Sequence, residues 1–278
     1  MNIKELWENL WKNQRVLMAT GLVMLVLTVI LAIVSLFDSQ QILGINRWIK
    51  PMKFTVSTWV YLWTVAVYLN FINGYEKSKR VIGWGISALF AGEIFLVVMQ
   101  SARGTTSHFN LAKPFDAMVF STMGFLIAIN TILIVYLTFL YFRANSELPK
   151  AIVWGMRLGL ILFLLASVEG GYMSAQAGHA VGVADGGAGL PVVNWSTEGG
   201  DLRAAHFVGM HAFQAVPIFA LMLVRLQKRF APVRATAFTI IFALVYLASF
   251  TLIFVQALKG KPLLGRQIVV TEKPLESR

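Results

Sequence analysis

The sequence contains no cysteine, and only 13% of its residues are charged. The absence of cysteine excludes disulfides, thiolate nucleophiles, iron–sulfur clusters and zinc sites with thiolate ligands. Soluble domains have roughly 25% charged and roughly 45–50% apolar residues, whereas 57% of this chain is hydrophobic. This composition excludes an ordinary soluble domain and a disordered chain, and it predicts a protein embedded in the lipid bilayer.

Seven apolar stretches are each long enough to cross a hydrocarbon core of about 30 Å, which takes about 20 helical residues. They lie near Val16–Phe37, Phe54–Ile72, Val81–Gln100, Phe115–Phe142, Ala151–Ala177, Ala204–Val224 and Ala235–Leu258. The predicted fold is therefore an all-α, polytopic membrane bundle of about seven transmembrane helices over residues 16–258. Residues 1–15 mix tryptophan with lysine and arginine, which predicts a short interfacial helix, and a basic tail occupies 259–278.

The net charge of +11 comes mainly from basic residues between the apolar stretches. Membrane topology and anionic lipid explain such a distribution better than nucleic acid does. With the N-terminus inside, thirteen basic residues lie on the inner side and six in the outer loops. This bias predicts a cytoplasmic N-terminus, in a bacterial inner membrane, although seven spans place the basic tail on the outer side.

The third and fifth stretches share a pattern at an offset of 76 residues. The aligned residues are Gly83, Glu93, Gln100 and Arg103 in one, and Gly159, Glu169, Gln176 and His179 in the other. In both stretches Glu and Gln are seven residues apart, which is about two helical turns, so they share a helix face. We interpret this as a partial internal hairpin repeat; the alternative is coincidence between two apolar helices.

Two glutamates provide the strongest functional signal. Glu93 and Glu169 are predicted inside spans, about 10–12 Å below the outer end, and His211 is predicted at a similar depth. Burying a carboxylate costs several kcal/mol unless it is paired, protonated or bound to metal. We expect Glu93 and Glu169 to be catalytic or proton-exchanging groups; a purely structural role as protonated hydrogen-bonding groups is the alternative.

The remaining candidate residues lie near the outer loops. The predicted metal ligands are the four histidines, His108, His179, His206 and His211. The predicted ligand-binding residues are Gln100, Arg103, Asp116, Tyr172, Gln176 and Arg203. Glu169, Tyr172, Gln176 and His179 follow at spacings of three, four and three, which predicts one polar stripe facing the bundle interior.

His206 and His211 are five residues apart, so about 140° of helix separates them and they cannot both point at one ion. The Gly-rich segment 178–203 is predicted to be a long outer loop or lid, with Asp201 as the N-cap of the sixth span.

The leading hypothesis is an outward-facing His/Glu pocket that binds a transition metal (Zn, Fe or Cu) or a haem, with or without enzymatic activity. The alternative is a proton-coupled transporter or permease of a small solute, in which the two glutamates exchange protons. A third hypothesis is a receptor or assembly factor. The expected partners are the lipid bilayer and a small molecule or ion at the outer face; the sequence leaves the ligand and the oligomeric state open.

Overall fold

The computed structural model describes residues 2–229 and 234–265, which form a helical bundle. The helices of this part of the chain are α1 (Ile3–Asn13), α2 (Arg15–Phe37), α3 (Ile49–Asn70), α4 (Glu76–Ala102), α5 (Pro114–Arg143), α6 (Lys150–Ala175), α7 (Leu202–Arg229) and α8 (Ala235–Leu258). Two short antiparallel pairs join β1 (Gln41–Ile42) to β2 (Ile45–Asn46) and β3 (Ala180–Val181) to β4 (Gly200–Asp201). Most of the predicted basic tail, from residue 266 onward, lies outside the described residues.

Six of these helices, α2 and α4 to α8, are long and apolar enough to cross a membrane. Large apolar side chains on them point away from the bundle, and Phe95, Phe125 and Leu252 are 66–70% exposed. The chain is thus a multi-pass integral membrane protein whose apolar helices contact the lipid bilayer. The helix α3 covers the second predicted stretch, but it carries two lysines and several hydroxyl groups and is not among these six. The seventh span therefore stays a prediction, and so does the internal repeat.

The N-terminal helix α1 begins with a capping box. The Asn2 side chain accepts a hydrogen bond from the Glu5 backbone N–H (2.8 Å), and the Asn2 backbone N–H donates to the Glu5 carboxylate (2.9 Å). The Trp7 ring packs edge-on against Trp63 of α3, with 5.3 Å between ring centroids. The capping box satisfies free N–H groups at the helix start, and the tryptophan contact holds α1 against the bundle.

The centre of the bundle is the close contact between α6 and α7. A Cβ added at Gly159 would lie 2.9 Å from the backbone oxygen of Ala212, so only glycine permits this approach. Pro217 lies inside α7 and has no N–H for the carbonyl of Phe213, four residues earlier. The buried Tyr68 hydroxyl of α3 donates to that carbonyl instead, at 2.8 Å. A side chain from a third helix therefore satisfies the group that proline leaves free.

The loops that follow α2, α4 and α6 meet at one end of the bundle, which we call the loop end. Arg47 donates to the carbonyl of Ala102 at the end of α4 (3.1 Å), and Lys53 donates to the carbonyl of Val193 in the loop after α6 (3.3 Å). This is the side that the sequence predicts to be outer, and that orientation stays a prediction. The loop end carries most of the predicted site residues.

Candidate functional site

Glu93 lies buried on α4, with only 1% of its surface exposed. Its Oε1 is 3.9 Å from Nε2 of His108, which is too long for a hydrogen bond, and its Oε2 has no hydrogen-bond partner among the described residues. His108 comes from the short loop after α4, where its Nδ1 is 3.0 Å from the Ser107 hydroxyl and its ring packs 5.2 Å from that of Phe54. The first predicted carboxylate is thus paired loosely with an imidazole.

Glu169 lies buried on α6 and forms a tighter pair. Its Oε2 is 2.9 Å from Nδ1 of His206 on α7, and the same nitrogen is 3.0 Å from the carbonyl of Ala166. Oε1 of Glu169 has no hydrogen-bond partner within the described residues. A Cβ at Gly170 would lie 2.7 Å from the His206 ring, so glycine makes room for this imidazole. The structure therefore brings together two of the predicted site residues here.

His211 does not join either pair. Its Nδ1 is 2.7 Å from the carbonyl of Phe207 on its own helix, and the Phe207 ring packs 4.1 Å from its ring. The angular separation predicted for His206 and His211 agrees with this difference in partners. Among residues 2–229 and 234–265, no three His, Asp or Glu side chains are grouped so that they could hold a metal ion. The histidines that the sequence predicts as metal ligands are therefore not gathered around one ion position in this part of the chain.

Gln100, Arg103 and Asp116 form a polar cluster that joins the end of α4 to the start of α5. Gln100 donates to Oδ1 of Asp116 at 3.1 Å, and Arg103 donates to the same oxygen at 2.6 Å and to the Gln100 side chain. The Arg103 guanidinium also lies over the Phe115 ring, 4.6 Å from its centroid. Three predicted ligand-binding residues thus satisfy one another, which is the behaviour of a structural connection.

The predicted stripe on α6 ends early. The helix stops at Ala175, and Ala177 adopts a left-handed φ of +51°, so Gln176 and His179 lie beyond the helix. Gln176 is exposed and donates to the carbonyl of Gly178 at 2.9 Å. Tyr172 is 46% exposed and packs edge-on against Phe254 of α8. Of the four residues of the stripe, Glu169 alone is directed into the α6–α7 contact, with Oε2 on His206.

Residues 176–201, which we call the long loop, are held by two aspartates. Asp185 accepts hydrogen bonds from the backbone N–H groups of His179 (3.3 Å) and Ala180 (2.8 Å), and its Oδ1 is 3.1 Å from Nδ1 of His179. Asp201 accepts from the Ser196 N–H (2.8 Å). Asp201 also accepts from the Arg203 N–H at 3.0 Å, so its predicted role as the N-cap of α7 is confirmed.

Three cations meet beneath the long loop, and we call Lys50, Lys53 and Arg203 the cation cluster. Each of them is close enough to the other two for electrostatic repulsion. Lys50 also interacts electrostatically with four groups of α4 and the two loops, namely Glu93, His108, His179 and Asp185. The predicted site residues do not include the two lysines, because the dipeptides Lys50-Pro51 and Lys113-Pro114 both resemble an ordinary helix start at the interface. The sequence makes Lys53 a candidate ion-pair partner of Asp116, but Asp116 pairs with Arg103. The spacing of three between Lys50 and Lys53, which puts them on one face, was the available signal.

The arginines and the lysines of the loop end differ in their partners. The arginines form ion pairs Arg47–Asp38 (2.5 Å), Arg103–Asp116 (2.6 Å) and Arg203–Asp201 (2.6 Å). Lys50 and Lys53 have no carboxylate oxygen within 4.0 Å in the part of the chain that the structure describes. Among the described residues, Lys50 and Lys53 are thus half-buried ammonium groups whose charge no contacting carboxylate neutralises, whereas Lys113 at the same end is exposed to solvent.

The neighbouring imidazoles do not add positive charge at neutral pH. Burial lowers the pKa of His108 well below its ordinary value, and the charge of Lys50 lowers it further. Burial lowers the pKa of His179 from 6.5 to about 4, and Arg203 also lowers it. Both rings are thus neutral at pH 7 and can each donate one N–H.

No protein-family model, curated protein or solved structure matches the chain.

Proposed function

We propose that the protein is a membrane carrier for a small anionic solute, and that the solute binds at the cation cluster. One observation carries this proposal: Lys50 and Lys53 lie under the long loop without a carboxylate within 4.0 Å among the described residues. Both lysines are half-buried, and an ammonium group that is partly withdrawn from water is costly unless an opposite charge neutralises it. An anion from the solution supplies that charge, and the two lysines, one helical turn apart, hold it from one side.

Glu93 couples binding to a proton in this proposal. Its carboxylate is the acidic group that α4 directs toward Lys50, and the two interact electrostatically. An arriving anion is attracted by Lys50 but repelled by an ionised Glu93. A proton on Glu93 removes that repulsion, so one proton accompanies the solute. The two neutral imidazoles donate N–H groups to the solute without changing this charge balance.

We include α3 as the seventh crossing helix. Its lower hydropathy follows from the two lysines at the loop end and from hydroxyl groups that bond to other helices, such as Tyr61 to Asn130, and carriers keep such groups inside the bundle. Asn70, at its other end, accepts a hydrogen bond from Asn13 of α1 (3.2 Å), whereas Lys53 contacts the long loop. In this arrangement the loop end faces outward and the N-terminus is cytoplasmic, as the distribution of basic residues predicts.

The test is proton-linked uptake into proteoliposomes that contain the pH dye pyranine. The probes are succinate, inorganic phosphate and sulfate, because their ionised forms do not cross lipid unaided. We expect an inward gradient of at least one of them to acidify the lumen. Lys50→Met should abolish this acidification. Glu93→Gln should also abolish it, either because uptake stops or because the solute enters without a proton. Lys113→Met and Glu147→Gln, at exposed positions, are the matched controls. No acidification with any probe, or a Lys50→Met carrier as fast as the wild type, would overturn the proposal.

The predicted metal or haem site has one supporting observation of its own. Nδ1 of His206 is held by Glu169 and by the carbonyl of Ala166, and metal-ligating histidines are held in this way through the nitrogen that does not bind the metal. His206 is the residue that would hold the iron of a haem, through Nε2. Metal and haem analysis of the purified protein tests this: the absence of both, or a content unchanged by His206→Ala, rejects it.

A further inference from the structure

The tip of the long loop occupies donors of the cation cluster. The carbonyl of Val193 accepts a hydrogen bond from Nζ of Lys53 at 3.3 Å, and the carbonyl of Asn194 accepts from the guanidinium of Arg203. These are neutral oxygens that stand where the oxygens of an anionic solute would bind. The Trp195 ring packs edge-on against Phe207 of α7, 5.6 Å between centroids, and holds the tip in place.

The backbone of this tip is strained. Val192 has a φ of +66° and Asn194 a φ of +56°. Asparagine tolerates the left-handed region, but a β-branched residue there is a genuine outlier. The Val192 side chain is 72% exposed, so burial does not offset the strain. The hydrogen bonds of the tip and its two contacts with the cation cluster are what hold this conformation, among them Leu190 N–H to the Trp195 carbonyl and Asn194 N–H to the Leu190 carbonyl, each 2.8 Å.

We infer that the tip of the long loop is an internal occupant of the anion site: its carbonyls at Val193 and Asn194 hold Lys53 and Arg203 when no solute is bound, and an anion displaces them. This inference rests on the proposed carrier function. The strain at Val192 is released when the tip leaves, so it lowers the free-energy cost of displacement. The same chain thus blocks its site reversibly and opens it only for a stronger acceptor.

Two substitutions at one position separate the strained tip from an ordinary loop. Glycine adopts a positive φ without strain, so Val192→Gly stabilises the tip on the cation cluster. Proline requires a φ near −65°, so Val192→Pro excludes the closed conformation. Among the described residues the Val192 N–H donates no backbone hydrogen bond that proline would remove. Val193→Gly is the matched control, because the φ of Val193 is not positive and glycine relieves nothing there.

Hydrogen exchange of the tip amides in the full-length protein is the first measurement. We expect Val192→Gly to slow exchange by about fivefold or more, Val192→Pro to accelerate it, and Val193→Gly not to slow it. Saturating succinate, phosphate or sulfate, whichever binds in calorimetry, is expected to accelerate exchange in the wild type. Val192→Gly is expected to weaken that anion's binding by about fivefold, and Val192→Pro to strengthen it.

The possible failures are distinguishable. If an anion binds but leaves tip exchange unchanged, the inference is wrong and the carrier proposal stands. If Val192→Gly and Val192→Pro shift the exchange rate of the tip amides in the same direction, the claim that strain at Val192 opposes the closed conformation is wrong. If none of succinate, phosphate and sulfate binds the wild type, the inference is overturned together with anion binding at this site.

Discussion

The hydrogen bond from Tyr68 to the carbonyl of Phe213 should be worth more than a typical side-chain hydrogen bond in a membrane protein. Tyr68 is 1% exposed, and its hydroxyl lies 2.8 Å from the carbonyl that Pro217 leaves without its helical donor. Interhelical hydrogen bonds in membranes average about 0.6 kcal/mol, because the freed groups find other partners. Here proline removes the usual partner, so Tyr68→Phe leaves a buried carbonyl unsatisfied. We expect a cost of about 1.5 kcal/mol.

A double-mutant cycle isolates this effect. Pro217→Ala restores an N–H four residues after Phe213, so Tyr68→Phe in that background should cost only about 0.5 kcal/mol, a coupling of about 1 kcal/mol. The measurement is reversible unfolding in dodecyl maltoside micelles titrated with SDS, followed by circular dichroism. Tyr246→Phe is the matched control, because its hydroxyl donates to the carbonyl of Val208 (2.7 Å), which no proline deprives of its helical donor. Equal costs of Tyr68→Phe in both backgrounds would refute the reasoning.

Two further predictions concern the loop end. A Cβ at Gly200 would overlap the carbonyl oxygen of Ala257, so Gly200→Ala should destabilise the protein by about 1–3 kcal/mol. A Cβ at Gly171 meets no atom of the described residues within 4 Å, so Gly171→Ala should be neutral or stabilising by up to about 1 kcal/mol. The pKa of His179 falls from 6.5 to about 4 on folding, so the unfolded chain binds more protons below pH 6.5 and stability is lost as the pH falls from 6.5 toward 4. His179 should contribute a loss of about 1–2 kcal/mol of unfolding free energy between pH 7 and pH 5, and His108, whose pKa burial also lowers, adds a separate loss. His179→Gln should therefore reduce the pH dependence of thermal unfolding by about 1–2 kcal/mol, and an unchanged pH dependence would contradict this assignment.

The helices could be predicted from the sequence because the bilayer constrains them strongly. Each of the seven apolar stretches coincides with a helix, and Ala235–Leu258 has the same bounds in both. The helices usually extend a few residues beyond the apolar run: the predicted Val81–Gln100 is the core of a helix that spans Glu76–Ala102. Polar residues can continue a helix into the interface, where hydropathy no longer marks its end.

The candidate site was harder to predict because loops assemble it. The depth of Glu93 and Glu169 follows from counting residues along a helix, and both are buried as this depth requires. The position of Lys50 beneath residues 176–201 depends on how a long loop folds back, and helical periodicity contains no information about that. The same limit applies to Asp185, which reads as a turn residue in the sequence and holds the loop in the structure.

The two glutamates are equivalent in the sequence pattern but not in their surroundings, and this gives a last prediction. The short loop after α4, residues 103–113, returns His108 toward Glu93, yet only to 3.9 Å. The loop after α6 is longer, and the imidazole near Glu169 comes from α7, at 2.9 Å. Glu169 has no other side-chain hydrogen bond within the described residues.

His206→Leu should therefore destabilise the protein by about 1–3 kcal/mol, because it leaves both oxygens of a buried carboxylate without a partner. His108→Leu breaks no hydrogen bond to Glu93 and should cost less than about 1 kcal/mol. The SDS titration used for Tyr68 measures both variants. His211→Leu is the control, because among the described residues the hydrogen bond of His211 is to the Phe207 carbonyl of its own helix. Equal costs for His206→Leu and His108→Leu would mean that the two carboxylates have equivalent partners. Glu169 and His206 would then not form a tighter pair than Glu93 and His108.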